Sequence, residues 1–298
     1  MSSSSSTSTS AAAEMANVAF LPHHERAEAA DLAKRAIARL EELGHACRVP
    51  MADAAATGLE EWAVPDKALC TGLDLAVCLG GDGTMLRTID LVGRHGVPVL
   101  GVNVGHLGYL TEVEPATLDQ ALDRFLRGEH QLEERMLLEV VLEPVGGVPR
   151  VLRHAMNEAV VRSSGTHVVR LQLSIAGELF TTYAADGLIV ATPTGSTAYN
   201  LSARGPIVAP ELHAFVVTPV APHQLFDRSL VLSPEDEIRI ELLDWRLAQL
   251  LCDGVEVATL GPGDAVVCRR GPWRAKVVTF GRRDFRGILR KKFGLEDR

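Results

Sequence analysis

The hydrophobic pattern changes period once, near residue 130, and that change bounds what the chain can fold into. Before it, strand-like and helix-like runs alternate. VAFL (18–21) reads as a short buried strand. HERAEAADLAKRAIARLEELG (24–44) reads as a helix with an inner face of Ala29, Leu32, Ala33, Ala36, Ile37, Leu40 and Leu43, stopped by Gly44. A variable segment with Pro65 leads to a strand, LDLAVCL (73–79), a helix over 85–93, and VPVLGVNVG (97–105). This alternation predicts a parallel sheet covered by helices. Beyond residue 130, runs rich in Val, Leu, Ile and Thr crowd together, among them MLLEVVLEP, VVRLQLSIAGELFTTY, AFVVTPVAP and DAVVCRR. No amphipathic helix of convincing length occurs over 137–275. This half predicts an antiparallel β-domain, with a sandwich among its forms. Ala176-Gly177 is expected to turn a hairpin. The tail RDFRGILRKKFG (283–294) is basic and helix-compatible.

At 298 residues the chain has room for two domains, and 47% hydrophobic with 23% charged residues fits a soluble protein with a core. A formal net charge of −8 argues against a DNA-coating or anionic-membrane surface, leaving a local basic patch open. No run of about 18 apolar residues suggests a transmembrane helix. The five cysteines form no CxxC pair; they read as small buried hydrophobes in a reducing cytosol, with zinc or thiol chemistry as the alternatives. The serine-rich start, 1–15, has neither the basic nor the apolar region of a secretory signal and reads as a disordered tail, with Met15 as a sensible true start.

The densest signal is CLGGDGTMLR (78–87), where a strand runs through Gly80-Gly81-Asp82-Gly83-Thr84 straight into a helix. In open α/β sheets ligands bind beyond the carboxyl ends of the strands. Glycines admit a ligand close to backbone N–H groups, and N–H groups at a helix start suit phosphate oxygens. Asp82 does not belong in a purely phosphate-holding loop. It suggests chemistry on a hydroxyl or a metal beside held phosphates, unless it merely caps the helix in a tight turn. The chain has no GxGxxG, GxxxxGK, HRD or DFG string.

GVNVGHLGYLTE (101–112) supplies a second glycine-rich loop with Asn103, Gly105, His106, Gly108 and Thr111, either a structural turn or the other wall of a shared cleft. Asn157-Glu158 stands in apolar surroundings, as a solvated edge or as a reader of ribose hydroxyls. DGLIVATPTGSTAYNLSARGP (186–206) concentrates hydroxyls around Tyr199, as a capped helix start or a nucleoside site. His23-His24-Glu25 lacks the HExxH metal spacing, and Asp253-Gly254 reads first as a turn.

The order GGDGT, GVNVGHLGYLTE, NE, ADGLIVATPTGSTAYN, TPVAPH resembles the bacterial NAD kinases over most of 17–290. GGDGT alone is shared with lipid kinases and phosphofructokinases, whereas DGLIVATPTGSTAY is far more specific. The resemblance implies phosphorylation of the adenosine ribose 2′-hydroxyl of NAD by ATP (or polyphosphate) with Mg²⁺, giving NADP. It implies an α/β domain over 16–130 joined by the returning segment 277–298, and a β-rich NAD-binding domain over 131–276. Asp82 matches the catalytic aspartate; Gly83, Arg87, Asn157, Glu158, Asp186, Thr197, Ala198, Tyr199, Asn200 and Ser202 match NAD contacts. Gly80, Gly81 and Thr84 match donor-phosphate contacts, and no protein residue is assigned to metal. A cytoplasmic homodimer or homotetramer is expected, without nucleic acid or membrane. Ala184 stands where many relatives have Arg, Val255 where they have Gln and Arg204 where they have Gly. The first two remove polar contacts near the dinucleotide, which bears on affinity and on NAD-versus-NADH preference. A lipid kinase of the same superfamily and a non-catalytic nucleotide sensor are the alternatives.

Overall fold

The computed structural model describes residues 15–105, 108–281 and 284–295. The serine-rich tail before Met15, and His106, lie outside them. The first half builds β1 (Asn17–Pro22), α1 (Ala27–Glu42), β2 (Ala46–Pro50), α2 (Met51–Thr57), β3 (Ala63–Val64), α3 (Asp66–Leu69), β4 (Leu75–Gly80), α4 (Asp82–Val92), β5 (Val99–Asn103) and α5 (Leu118–Leu126). Its strands pair in parallel in the order β3-β2-β1-β4-β5. The central strand β4 is buried throughout. Leu75, Val77 and Leu79 pack with α1, while Ala76 and Cys78 pack with Met85 and Ile89 of α4 on the other face. Burial on both faces is why this strand reads as an unbroken apolar run. Leu43 departs from its expected place on the inner face of α1: it is exposed, because the helix ends at Glu42 and the chain reverses through Gly44 at φ +86°.

The second half comprises β6 (Gln131–Glu143), β7 (Arg150–Ala155), β8 (Glu158–Ser163), β9 (Val169–Ile175), β10 (Glu178–Ala185), β11 (Gly187–Ala191), α6 (Tyr199–Ser202), β12 (Phe215–Val220), β13 (Leu230–Leu232), β14 (Ile238–Leu242), β15 (Ala248–Cys252), β16 (Val255–Leu260) and β17 (Ala265–Thr279). α7 (Phe285–Phe293) follows. One antiparallel sheet runs β13-β12-β11-β8-β15-β16. Facing it are β10-β9-β14-β17, with β6 and β7 beside β17. Leu171, Leu173, Ile240 and Val266 meet Val161, Leu188, Val190 and Val217 in one shared core, the interior of a sandwich. Ala176 and Gly177, at φ +51° and +81°, turn the β9–β10 hairpin.

The long strand β17 serves both halves. It pairs antiparallel with β14 and along its length with β6, and near its end Val277 pairs in parallel with Val99 of β5. All five cysteines are free thiols, with Cys78, Cys252 and Cys268 buried.

Candidate active site

α4 begins at Asp82, earlier than apolar periodicity predicts, because Gly81 alone separates it from β4. Asp82 is therefore not the cap but the first helical residue, at the positive end of the helix dipole. Its Oδ2 accepts the Tyr109 N–H at 2.8 Å and its Oδ1 the Leu110 N–H at 2.9 Å. A carboxylate so held keeps lone pairs for a further partner. Gly108 makes the approach possible, since a Cβ there would stand 2.1 Å from Asp82 Oδ1. Gly80 acts structurally, because a Cβ there would lie 2.3 Å from the Thr84 hydroxyl and deny room to the first turn of α4. Gly81 and Gly83 instead leave open space where a Cβ would be.

That space belongs to a cleft of about 480 Å³ lined by His23, His24, Glu25 and Arg26 after β1, and by Gly81, Gly83, Thr84 and Arg87. It lies beyond the carboxyl ends of β1 and β4, the end of a parallel sheet that binds ligands. Arg87 shares this wall with Gly81, Gly83 and Thr84, and both its amino groups donate to Asp53, Nη2 to Oδ2 at 2.7 Å. His24 Nε2 lies 2.9 Å from Asp53 Oδ1. Asp53, on α2 and fully buried, thus fixes two cleft residues. Nothing local in MADAAAT marks it, and sequence reasoning missed it. Among the described residues no three His, Cys, Asp or Glu cluster tightly enough to cage a metal.

The second set of residues gathers on the turn between β7 and β8. Asp253, in the β15–β16 turn, does more than turn the chain. Its buried carboxylate accepts the N–H groups of Met156 at 2.8 Å, Asn157 at 2.7 Å and Glu158 at 3.1 Å. Glu158 is 5% exposed, and its Oε2 has no protein partner among the described residues. Burial first, and then the charge of Asp253, push its pKa up to about 8, against the opposing Tyr199 N–H. The TPTGST run lies directly on this turn: Thr192 N–H donates to Asn157 O at 2.8 Å, and a Cβ at Gly195 would stand 2.0 Å from that same oxygen.

Around that turn, Thr197 and Ala198 are half-buried, and Tyr199 and Ser202 are exposed. Asn200 differs from the expected direct ligand. Its side chain is fully buried, donating to Ser196 O and Pro206 O at 3.0 Å each and accepting from the Thr218 hydroxyl at 2.7 Å. With its amide committed inward, it clamps the loop. Gly205 permits that clamp, as a Cβ there would lie 1.9 Å from Asn200 Oδ1. Asp186 is exposed between β10 and β11, its backbone bonded to Val220 and Ser163.

The two sets of residues face one another. Met156, before the Asn157-Glu158 turn, packs with Met85, Ile89 and Leu110. Arg153 on β7 donates to Asp90 on α4 at 2.8 Å. The buried Asn103 Oδ1 and Thr111 Oγ1 also have no protein partner among the described residues, the mark of groups set aside for water or ligand.

Comparison with known proteins gives concordant findings. Residues 18–130 match the family model described as the ATP-NAD kinase N-terminal domain, and 156–280 the ATP-NAD kinase C-terminal domain. An NAD kinase of Heliobacterium modesticaldum is 44% identical over 74% of this chain and 78% of its own length. One from Symbiobacterium thermophilum is 37% identical over 93% and 99%. Among solved structures, yeast NADH kinase complexed with NADH superposes with a TM-score of 0.87 at 26% identity, covering 95% of this chain and 89% of that one. An Archaeoglobus fulgidus NAD kinase in complex with ATP gives 0.70 at 25% identity, covering 94% and 97%.

Proposed function

The chain belongs to the NAD kinase family and phosphorylates NAD to NADP, and on that premise we propose that Asp82 is the general base for the acceptor hydroxyl. The observation that carries this reading is the carboxylate at the start of α4, steadied by the Tyr109 and Leu110 N–H groups beside an open, glycine-floored cleft. Phosphoryl transfer needs mainly positioning and charge neutralisation, with a base for the nucleophile. Gly83 and Arg87 border NAD, and the N–H of Gly81, the Thr84 hydroxyl and the Arg26 guanidinium suit donor phosphates. Gly80 supports them from behind. The donor is ATP, the molecule held by the Archaeoglobus neighbour.

Asn157 and Glu158 read the ribose of NAD, and Thr197, Ala198, Tyr199, Ser202 and Asp186 border the dinucleotide, with Asn200 holding their loop. This assigns 16–130 with 277–298 to the donor side and 131–276 to NAD. Mg²⁺ would travel on the phosphates, and Glu25, the carboxylate in the cleft wall, would be placed to hold it. When bound it neutralises phosphate charge. The same reading includes a cytoplasmic homodimer or homotetramer. The lipid-kinase alternative is not favoured: the cleft is lined by histidine, arginine, glutamate, threonine and glycine.

Purified protein with NAD, ATP and Mg²⁺ is expected to yield NADP, read with an NADP-specific dehydrogenase. Asp82→Asn is expected to lower the rate at least about a hundredfold. Asp82→Asn with the parent rate would remove Asp82 from the chemistry. A folded, nucleotide-binding parent that makes no NADP with ATP or polyphosphate would overturn the whole reading.

A further inference from the structure

No side chain of the basic tail has been given a role so far, yet α7 sets one of its cations against the loop that holds Asp82. The helix is defined at both ends. Asp284 accepts the Gly287 N–H at 2.9 Å, and Gly294 closes the helix at φ +61°. Its last turn holds Arg290, Lys291 and Lys292. Cations at a helix C-terminus satisfy the dipole and need no further purpose. Lys292 stands apart because of where it points: its Nζ lies 3.7 Å from the centroid of the Tyr109 ring. Tyr109 is the residue whose N–H holds Asp82. Burial lowers the pKa of Lys292 below the ordinary lysine value, and the charge of Asp82 acts on it in the opposite direction, so the ammonium senses the carboxylate.

We propose that Lys292 is a positioning residue for phosphoryl transfer, an ammonium brought by the C-terminal helix to the Asp82–Tyr109 corner to offset the repulsion between that carboxylate and the incoming phosphates. The inference rests on Asp82 being the base. Arg26 reaches the start of the same loop but donates to the Val104 carbonyl, and Arg87 is bound to Asp53. Lys292 instead sits on the ring of Tyr109, the residue whose N–H holds the carboxylate. Charge placed beforehand at the site lowers the barrier without reorganising during the reaction. The aromatic ring fixes the ammonium by cation–π attraction.

Parent, Asp82→Asn, Lys292→Met and Lys292→Arg are compared for NADP formation, each with its thermal unfolding midpoint. Methionine keeps an apolar stem of similar length and removes only the charge. Lys292→Met is expected to lower kcat by about 10- to 100-fold. The KM for NAD should stay within about threefold, because the charge acts in the transition state. Lys292→Arg should recover most of kcat, and added methylammonium should restore part of it in Lys292→Met but not in Asp82→Asn. A Lys292→Met variant with the parent kcat, or a loss that neither arginine nor methylammonium repairs, overturns the proposal. If Asp82→Asn itself keeps the parent rate, the underlying assignment of the base has failed instead.

Discussion

Glu158 keeps its proton to about pH 8 because burial and the neighbouring Asp253 both disfavour its charge. In the unfolded chain the same side chain loses its proton in the ordinary carboxylate range, at about pH 4.3. Between those values the folded state binds more protons than the unfolded one. Stability is then full below the lower value, falls as pH rises through this window, and levels off above about 8. Glu158→Gln cannot ionise and lacks that fall. Urea titrations at pH 6 and pH 8 are expected to show the parent losing about 2 kcal/mol relative to the variant; parallel pH profiles would contradict this. At this scale the sequence is informative about chemistry and silent about geometry. Glu158, Asp82 and Tyr199 stand out by residue type and neighbours. Asp53 and the bracket formed by Asp253 do not, since their partners lie 34 and roughly 95 positions away along the chain. Asn200 looks like a ligand residue for the reason that makes it a good clamp, an amide able to donate and accept at once.

Elements with a long or doubly buried face are legible and short ones are not. β4 and α1 announce themselves because each shows its packing surface in one continuous run. β2, α2, β3 and α3 are two to seven residues long, too short for any period to emerge. The start of α4 is masked by its glycines, which weaken a helical signal although the chain needs them for the turn. The β9–β10 hairpin is legible from Ala-Gly, but Ala176 is not the best residue for its backbone. At φ +51° it bears a strain that asparagine tolerates better. Ala176→Asn is expected to stabilise the protein by about 0.5–1 kcal/mol, read by denaturant unfolding, with kcat unchanged. A neutral or destabilising result would show that the turn does not hold this geometry in solution.

For the whole molecule the decisive element is β17, which joins the core of the sandwich to the edge of the parallel sheet through Val277 and Val99. Neither half can lose this strand without disturbing the other. Scanning calorimetry is therefore expected to show one transition with equal calorimetric and van't Hoff enthalpies; two resolved transitions would refute the coupling. Residue pattern alone does not reveal this continuity, because a strand spanning two domains looks like any other run of valines. Its position in the chain has a further consequence. A ribosome releases the β1-to-β5 segment well before β17, so that sheet waits with an open edge beside β5 until the intervening sandwich strands and β17 have emerged. Such an edge invites wrong pairing while it lasts. The chain's own order of synthesis thus ties completion of its first domain, and of the cleft that domain carries, to the emergence of β17.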